Sequence, residues 1–210
     1  NQYELVDWVK NNVYFPSCMV DRITPRTHDD LRHEVEELFP SHGKDAIQTE
    51  EYSQWVIENK FIADFPDLSQ VGVTITSYIE PYEETKIRIL NGGHTSLAYL
   101  GALSGYTTFD QVMSNESHLN HFRKLQREEI IPSLDIKLPF DVYEYVDMVE
   151  SRFSSVTNVD ELERICMDGF TKFHTFIVPS LRVCLNRGKR PIQIYKSIAA
   201  WYIYSRKFAK

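Results

Sequence analysis

The strongest constraint on the fold of this chain is a change of texture at Pro81. Before it, short β-rich runs alternate with breakers. After it, nearly every segment repeats its apolar residues at helical spacing, and prolines mark the joints. Pro81 with Glu83 and Glu84 reads as a helix start, because proline sacrifices an N–H that has no intrahelical partner and acids face the positive end of the helix dipole. The first helix is expected over 82–103. Further helices are expected over 108–114, 117–130, 138–154, 158–167, 171–187 and 191–207, with Pro132, Pro139, Pro179 and Pro191 setting or kinking boundaries. Upstream, Val13-Tyr14-Phe15 reads as a strand stub stopped by Pro16, and Met19–Ile23 as a short extended run. The segment 28–39 reads as a helix, and Tyr52–Ile57 and Val71–Ile79 read as strands. The expected fold class is mainly α: a small mixed α/β part over 1–80 and a helical body over 81–210.

Composition narrows the function classes. Of 210 residues, 42% are hydrophobic and 25% charged, globular proportions that exclude disorder. The net charge of -7 argues against a nucleic-acid protein, which needs a basic surplus. Cys18, Cys166 and Cys184 make neither a disulfide framework nor a CxxC site, so a reducing cytoplasm is the expected location. No apolar run approaches the ~18 residues of a membrane helix, and the start, Asn1-Gln2-Tyr3-Glu4, has no signal-peptide pattern. Both ends read as lying inside a longer protein.

The richest stretch for chemistry is Lys86 to His94. On an α-helical wheel with Lys86 at zero, Glu83 falls near ~60°, His94 near ~80° and Asn91 near ~140°, among Leu97, Leu90 and Ile87. Thr85, Arg88, Gly92 and Tyr99 fall on the far side. Lys86, Asn91 and His94 thus share the sector expected to face the core, where polar groups need partners or a task. A satisfied buried cluster is the alternative. A neutral lysine can take a proton from an alcohol, an asparagine N–H can steady the resulting alkoxide, and a histidine can bind a neighbouring hydroxyl. Lysines ordinarily titrate near ~10.4, so base work needs burial or a nearby cation; Glu83, one turn away, acts in the opposite sense. Gly92-Gly93 costs about 1 kcal/mol per residue relative to alanine, which implies close approach of another helix or of a ligand.

Other groups are weaker. Arg164 and Lys172 read either as surface cations or as a pair gripping hydroxyls or a carboxylate. His28, His33 and His42 read as surface residues. His118 and His121 also read as surface residues of a helix, without a supporting ligand cluster, so no metal site is expected. His174 reads as a packed histidine, and Trp201 with Tyr195, Tyr202 and Tyr204 as packing.

Taken together, several motifs resemble the long-chain polyol dehydrogenase family, which comprises mannitol 2-dehydrogenases and fructuronate and tagaturonate reductases. They are Val13-Tyr-Phe-Pro-Ser-Cys18-Met-Val-Asp21-Arg-Ile-Thr-Pro25, Gln54-Trp-Val-Ile-Glu58, Lys86-xxxx-Asn91-xx-His94 followed by Leu97-Ala-Tyr-Leu-Gly101, and Arg164-Ile-Cys-Met-Asp-Gly169 with Lys172. The resemblance covers nearly the whole chain. It implies that Lys86 is the general acid/base and that Asn91 forms half of an oxyanion hole, completed by a second Asn from a preceding domain. It also implies that His94, Arg164 and Lys172 contact substrate, that Glu83 serves proton passage, and that Asp21 borders the nicotinamide. NAD or NADP would be bound mainly by a Rossmann domain whose Gly-rich turn this sequence lacks, and no metal would be used. The expected substrate is a small polyol or ketose, with no nucleic-acid or membrane partner. The implied fold resembles the helical C-terminal domain of 6-phosphogluconate dehydrogenase, and the fragment alone is expected to be inactive. Two other readings stay open: a non-catalytic helical binding or assembly domain on this scaffold, and a hexuronate reductase.

Overall fold

The computed structural model describes residues 2–155 and 160–208. Its N-terminal part carries a three-stranded sheet of β1 (Cys18–Asp21), β2 (Gln54–Glu58) and β3 (Thr74–Thr76), in that spatial order. β1 and β2 run antiparallel, with Cys18 opposite Ile57 and Asp21 opposite Gln54; β3 joins β2 in parallel, with Val56 opposite Thr74. Met19, Val56 and Ile79 form a small apolar centre with Tyr82 packed on it. The helix expected over 28–39 forms as Asp29–Leu38.

Two readings of this part need correction. Val13–Phe15 is not a strand: the chain is helical over Gln2–Asn12 and then runs irregularly to β1. The helix buries none of its residues, so Tyr3 and Trp8 stay exposed. The strand read over Val71–Ile79 shrinks to three residues, because Leu68–Val71 coils into a 3₁₀ turn closed by Gly72 at φ 87°. That left-handed backbone suits glycine.

The helical body is built as the proline punctuation predicts. One continuous helix, called here the central helix, runs as α-helix over Glu80–Thr85, π-helix over Lys86–Asn91 and α-helix over Gly92–Leu103. Around it lie Phe109–Met113, Glu116–Lys124 continued as π-helix over Leu125–Ile130, Val142–Phe153, and Leu162–Ile165, which is all that forms of the helix expected over 158–167, residues 158–159 lying outside the described ones. Gly169–Lys172 then passes through the π-helix Phe173–Ile177 into Val178–Asn186, and Ile192–Phe208 follows. Asn115 and Asp141 cap their helices by accepting backbone N–H bonds, Asp141 from Tyr143 at 2.7 Å. Asp141 thereby starts the helix expected over 138–154 four residues later than periodicity alone suggested.

The central helix is not amphipathic. Its supposed far side, Thr85, Gly92 and Tyr99, is as buried as Leu97, because helices pack on it from all sides. The core around it includes Ile89, Leu97, Phe122, Leu125, Phe173 and Ile177.

Four further side chains differ from expectation. His121 is buried, not on the surface: its Nε2 lies 2.9 Å from Ser96 Oγ and its Nδ1 2.9 Å from Gln193 Oε1. His174 is exposed rather than packed, and so are Tyr195 and Tyr202.

The sheet and the helical body meet at a buried ion cluster. Arg152 donates to both oxygens of Asp21 and to both of Glu50, and its guanidinium lies 4.0 Å from the centre of the Tyr52 ring. Among the described residues no helix is long and apolar enough to cross a membrane.

Candidate active site

The centre of the site is the π-helical turn Lys86–Asn91. On an α-helix, residues five apart diverge by ~140°. In π geometry the backbone bonds span i to i+5, so residues five apart stack one turn above each other. The turn therefore draws Lys86 and Asn91, which the α-helical wheel put ~140° apart within one sector, closer to a single face. Gly92 N–H bonding back to the Ile87 carbonyl marks the same wide repeat.

Two neighbours hold the turn. Gln126, completely buried on its own π-helix, donates from Nε2 to the Ile89 carbonyl at 3.1 Å. Arg88 leaves on the other side, donating to Glu84 at 3.0 Å and reaching the Ser133 carbonyl at 3.4 Å. The glycine pair is explained by helix crossings. A Cβ on Gly93 would stand 2.6 Å from Phe122 Cε2 and 2.8 Å from Gln126 Nε2, and one on Gly92 3.3 Å from the Phe176 carbonyl.

Lys86 and Asn91 are half-buried, and neither side chain has a hydrogen-bond or ion-pair partner among the described residues. No ion pair joins Glu83 to Lys86: Glu83 is half-buried and unpaired too, while its neighbour Glu84 takes Arg88. A satisfied buried cluster, the bland reading of this stretch, is therefore not what forms. Two free donors remain on one face of a rigid turn.

His94 lies one helical turn further on. Its ring packs on Phe109 at 4.3 Å and Phe153 at 5.3 Å, and neither ring nitrogen has a partner among the described residues. Burial pushes its pKa down to about 4, and the field around it comes from Asp160, Lys172 and Arg164. The two segments that seemed separate in sequence are thus brought to one place. Lys172 donates to the Ile165 carbonyl at 2.8 Å, and burial lowers its pKa. Arg164 is a partly exposed cation with its Nε 2.7 Å from Asp160 Oδ1 and its Nη2 on Oδ2.

Asp21 is set apart from these groups. It is buried, and both its oxygens are engaged by Arg152. Burial works against the Arg152 charge, and hydrogen bonds to Asp21 and Glu50 outweigh it, holding its pKa above the ordinary arginine value. Sequence reasoning passed over Gln126, Asp160 and Arg152. Gln126 lies four residues from both Phe122 and Ile130, a polar residue on an apolar stripe, and Asp160 precedes Arg164 by the four residues of a helical ion pair. Among the described residues no group of three or more His, Cys, Asp or Glu side chains could hold a metal ion.

Comparison with known proteins places this arrangement. Residues 78–209 match the mannitol dehydrogenase C-terminal domain, and residues 1–70 match the mannitol dehydrogenase Rossmann domain. The chain belongs to the mannitol dehydrogenase family, a family of polyol oxidoreductases. It is 39% identical over 201 residues to a mannitol 2-dehydrogenase of Cereibacter sphaeroides, covering 96% of this chain and 42% of that protein. It is 38% identical over 188 residues to a D-arabinitol 4-dehydrogenase of Ralstonia nicotianae, covering 90% and 40%. Among solved structures, Pseudomonas fluorescens mannitol 2-dehydrogenase in ternary complex with NAD and D-mannitol matches with TM-score 0.83 and 36% identity over 96% of this chain and 41% of that one. A substrate-free D-sorbitol dehydrogenase matches with TM-score 0.88 and 29% identity, over 97% and 42%. The chain spans about two fifths of the length of these relatives.

Proposed function

We propose that this chain is the substrate-binding and catalytic part of an NAD(P)-dependent, metal-independent dehydrogenase that interconverts a polyol and its ketose. One observation carries the reading: the π-helical turn presents Lys86 and Asn91, both unpartnered, on one face beside His94. A lone lysine amine and a lone amide held half out of water suit a carbinol oxygen that gains and loses charge. Family membership and the polyol dehydrogenases among the relatives support the substrate class.

Lys86 takes the hydroxyl proton in oxidation and returns it in reduction. Asn91 donates its amide N–H to the developing alkoxide, a fixed donor that needs no reorganisation as charge appears. His94, kept neutral by burial, accepts from or donates to a neighbouring hydroxyl, and Arg164 and Lys172 hold hydroxyls further along the chain of the substrate. Glu83, unpaired and one turn before Lys86, passes the proton onward. Asp21, fixed by Arg152, anchors the strip assigned to the nicotinamide side. When bound, the nicotinamide supplies the acceptor or donor for hydride. The residues of this chain fit the substrate side of such a site. The described residues form no glycine-rich strand-to-helix cradle for the dinucleotide phosphates, so we assign most of that binding to further Rossmann sequence in the same protein, and the location to the cytoplasm.

The test is absorbance of NADH and NADPH with the full-length protein against fructose, xylulose, ribulose, fructuronate and tagaturonate. The reading expects turnover of at least one neutral ketose. Intact NADH binding with no turnover of any of the five would favour the non-catalytic alternative.

A further inference from the structure

Asp160 is absent from the set of residues implied by family resemblance, yet it is the carboxylate that Arg164 pairs with. Its side chain is only 5% exposed, whereas that of Arg164 is 47% exposed. Its carboxylate takes the Nε and one Nη2 proton of Arg164 in a two-pronged pair. Its backbone carbonyl accepts from Phe109 N–H at 2.9 Å, and Leu162 N–H donates to the Thr107 carbonyl at 2.9 Å. That short pairing sets Phe109 on the His94 ring and Asp160 on Arg164 at once. Asp160, Arg164 and Lys172 all contribute to the field at His94.

The consequence concerns which substrates the site accepts. An arginine recognises a carboxylate best through a two-pronged face, and Asp160 takes the Nε/Nη2 face of Arg164, leaving its Nη1 side for other acceptors. Its charge is also balanced by the partner. Without Asp160, Arg164 would lose its only direct ion-pair partner among the described residues, and the field it shares with Lys172 at His94 would be more positive, which favours an acid. With Asp160 in place, the Arg164 charge is met at close range by a carboxylate, which favours hydroxyls over an acid.

We propose that Asp160 is a specificity-determining residue, which pairs with the Nε/Nη2 face of Arg164, balances its charge and so selects a neutral polyol or ketose over a sugar acid. This rests on the polyol dehydrogenase reading above. Asp160 acts through Arg164 and is a positioning residue in this respect.

The experiment uses the full-length protein and two ligands with similar hydroxyl chains, D-mannitol and D-gluconate, with binding measured by calorimetry in the presence of the nicotinamide cofactor. Wild type is expected to bind mannitol more tightly. Asp160→Asn, which preserves shape and removes the charge, is expected to move the mannitol-to-gluconate affinity ratio toward gluconate by about tenfold, the scale of one charge-assisted contact. Adding Arg164→Gln to that variant should cancel the shift, which a loss of folding or a general loosening would not reproduce. An unchanged ratio in Asp160→Asn, a wild type that already prefers gluconate, or no binding of either ligand would each overturn the proposal. Turnover of Lys86→Ala is recorded in parallel: near-normal turnover there would sink the dehydrogenase reading whether or not the affinity ratio moves.

Discussion

Arg152 and Asp21, 131 residues apart in sequence, are joined by two hydrogen bonds of 2.7 and 3.1 Å inside the protein, and Glu50 takes the rest of the same guanidinium. One cation from the helical body thus holds two carboxylates from the sheet part. Breaking a buried pair from one side costs about 3–5 kcal/mol, because the surviving charges are stranded. Arg152→Met is expected to lose stability on that scale. Arg152→Met combined with Asp21→Asn and Glu50→Gln should lose much less, since no buried charge is left over. Urea unfolding of the full-length protein measures both. Equal losses in the two would contradict the account.

Gly93 faces Phe122 too closely to accept a methyl group. In an exposed helix interior Gly→Ala gains about 1 kcal/mol, but overpacking a filled core costs about 1–3 kcal/mol. Phe122 is completely buried and cannot retreat cheaply. Gly93→Ala is therefore expected to lower the melting temperature, and a rise would show that the helices can part.

Gln126 is completely buried and bonds to the turn that carries Lys86 and Asn91. Gln126→Met keeps the volume and removes the N–H that meets the Ile89 carbonyl. If that bond fixes the π geometry, kcat should fall about tenfold or more, as small displacements of reacting groups do, while KM changes little. A change confined to thermal stability would make Gln126 a packing residue only.

These side chains show what was legible in sequence and what was not. Proline spacing and helical periodicity located the helices, and Lys86, Asn91 and His94 stood out as polar residues among apolar ones. Three things were hidden. The π geometry of Lys86–Asn91 is accompanied by Gln126 bonding to the Ile89 carbonyl from another helix, 37 residues away. The burial of the central helix on every side depends on how the helices pack, so an amphipathic wheel was the wrong template. Burial of His121 depends on Ser96 and Gln193, 25 and 72 residues away, so its local sequence read as surface.

His94 and His121 both have pKa values pushed by burial from 6.5 to about 4. The unfolded chain takes up a proton near the higher value and the folded one resists it. Stability is therefore unaffected above about pH 6.5 and falls as pH drops from there toward 4, by up to ~1.4 kcal/mol per pH unit for each histidine. Urea midpoints at about pH 7.5 and pH 5 are expected to differ accordingly. His121→Gln should reduce the slope by roughly one histidine's share. A pH-independent midpoint over that range would contradict the burial of these rings as charge-excluding.

The central claim is that Lys86, set beside Asn91 by the π-helical turn, moves the substrate proton. The direct measurement is steady-state turnover of the best ketose by full-length wild type and Lys86→Ala, with NADH binding followed by fluorescence in the same samples. The account predicts a fall in kcat of about 10²–10⁴, the usual contribution of a positioned acid/base, with NADH affinity unchanged. Turnover within a few fold of wild type would contradict it.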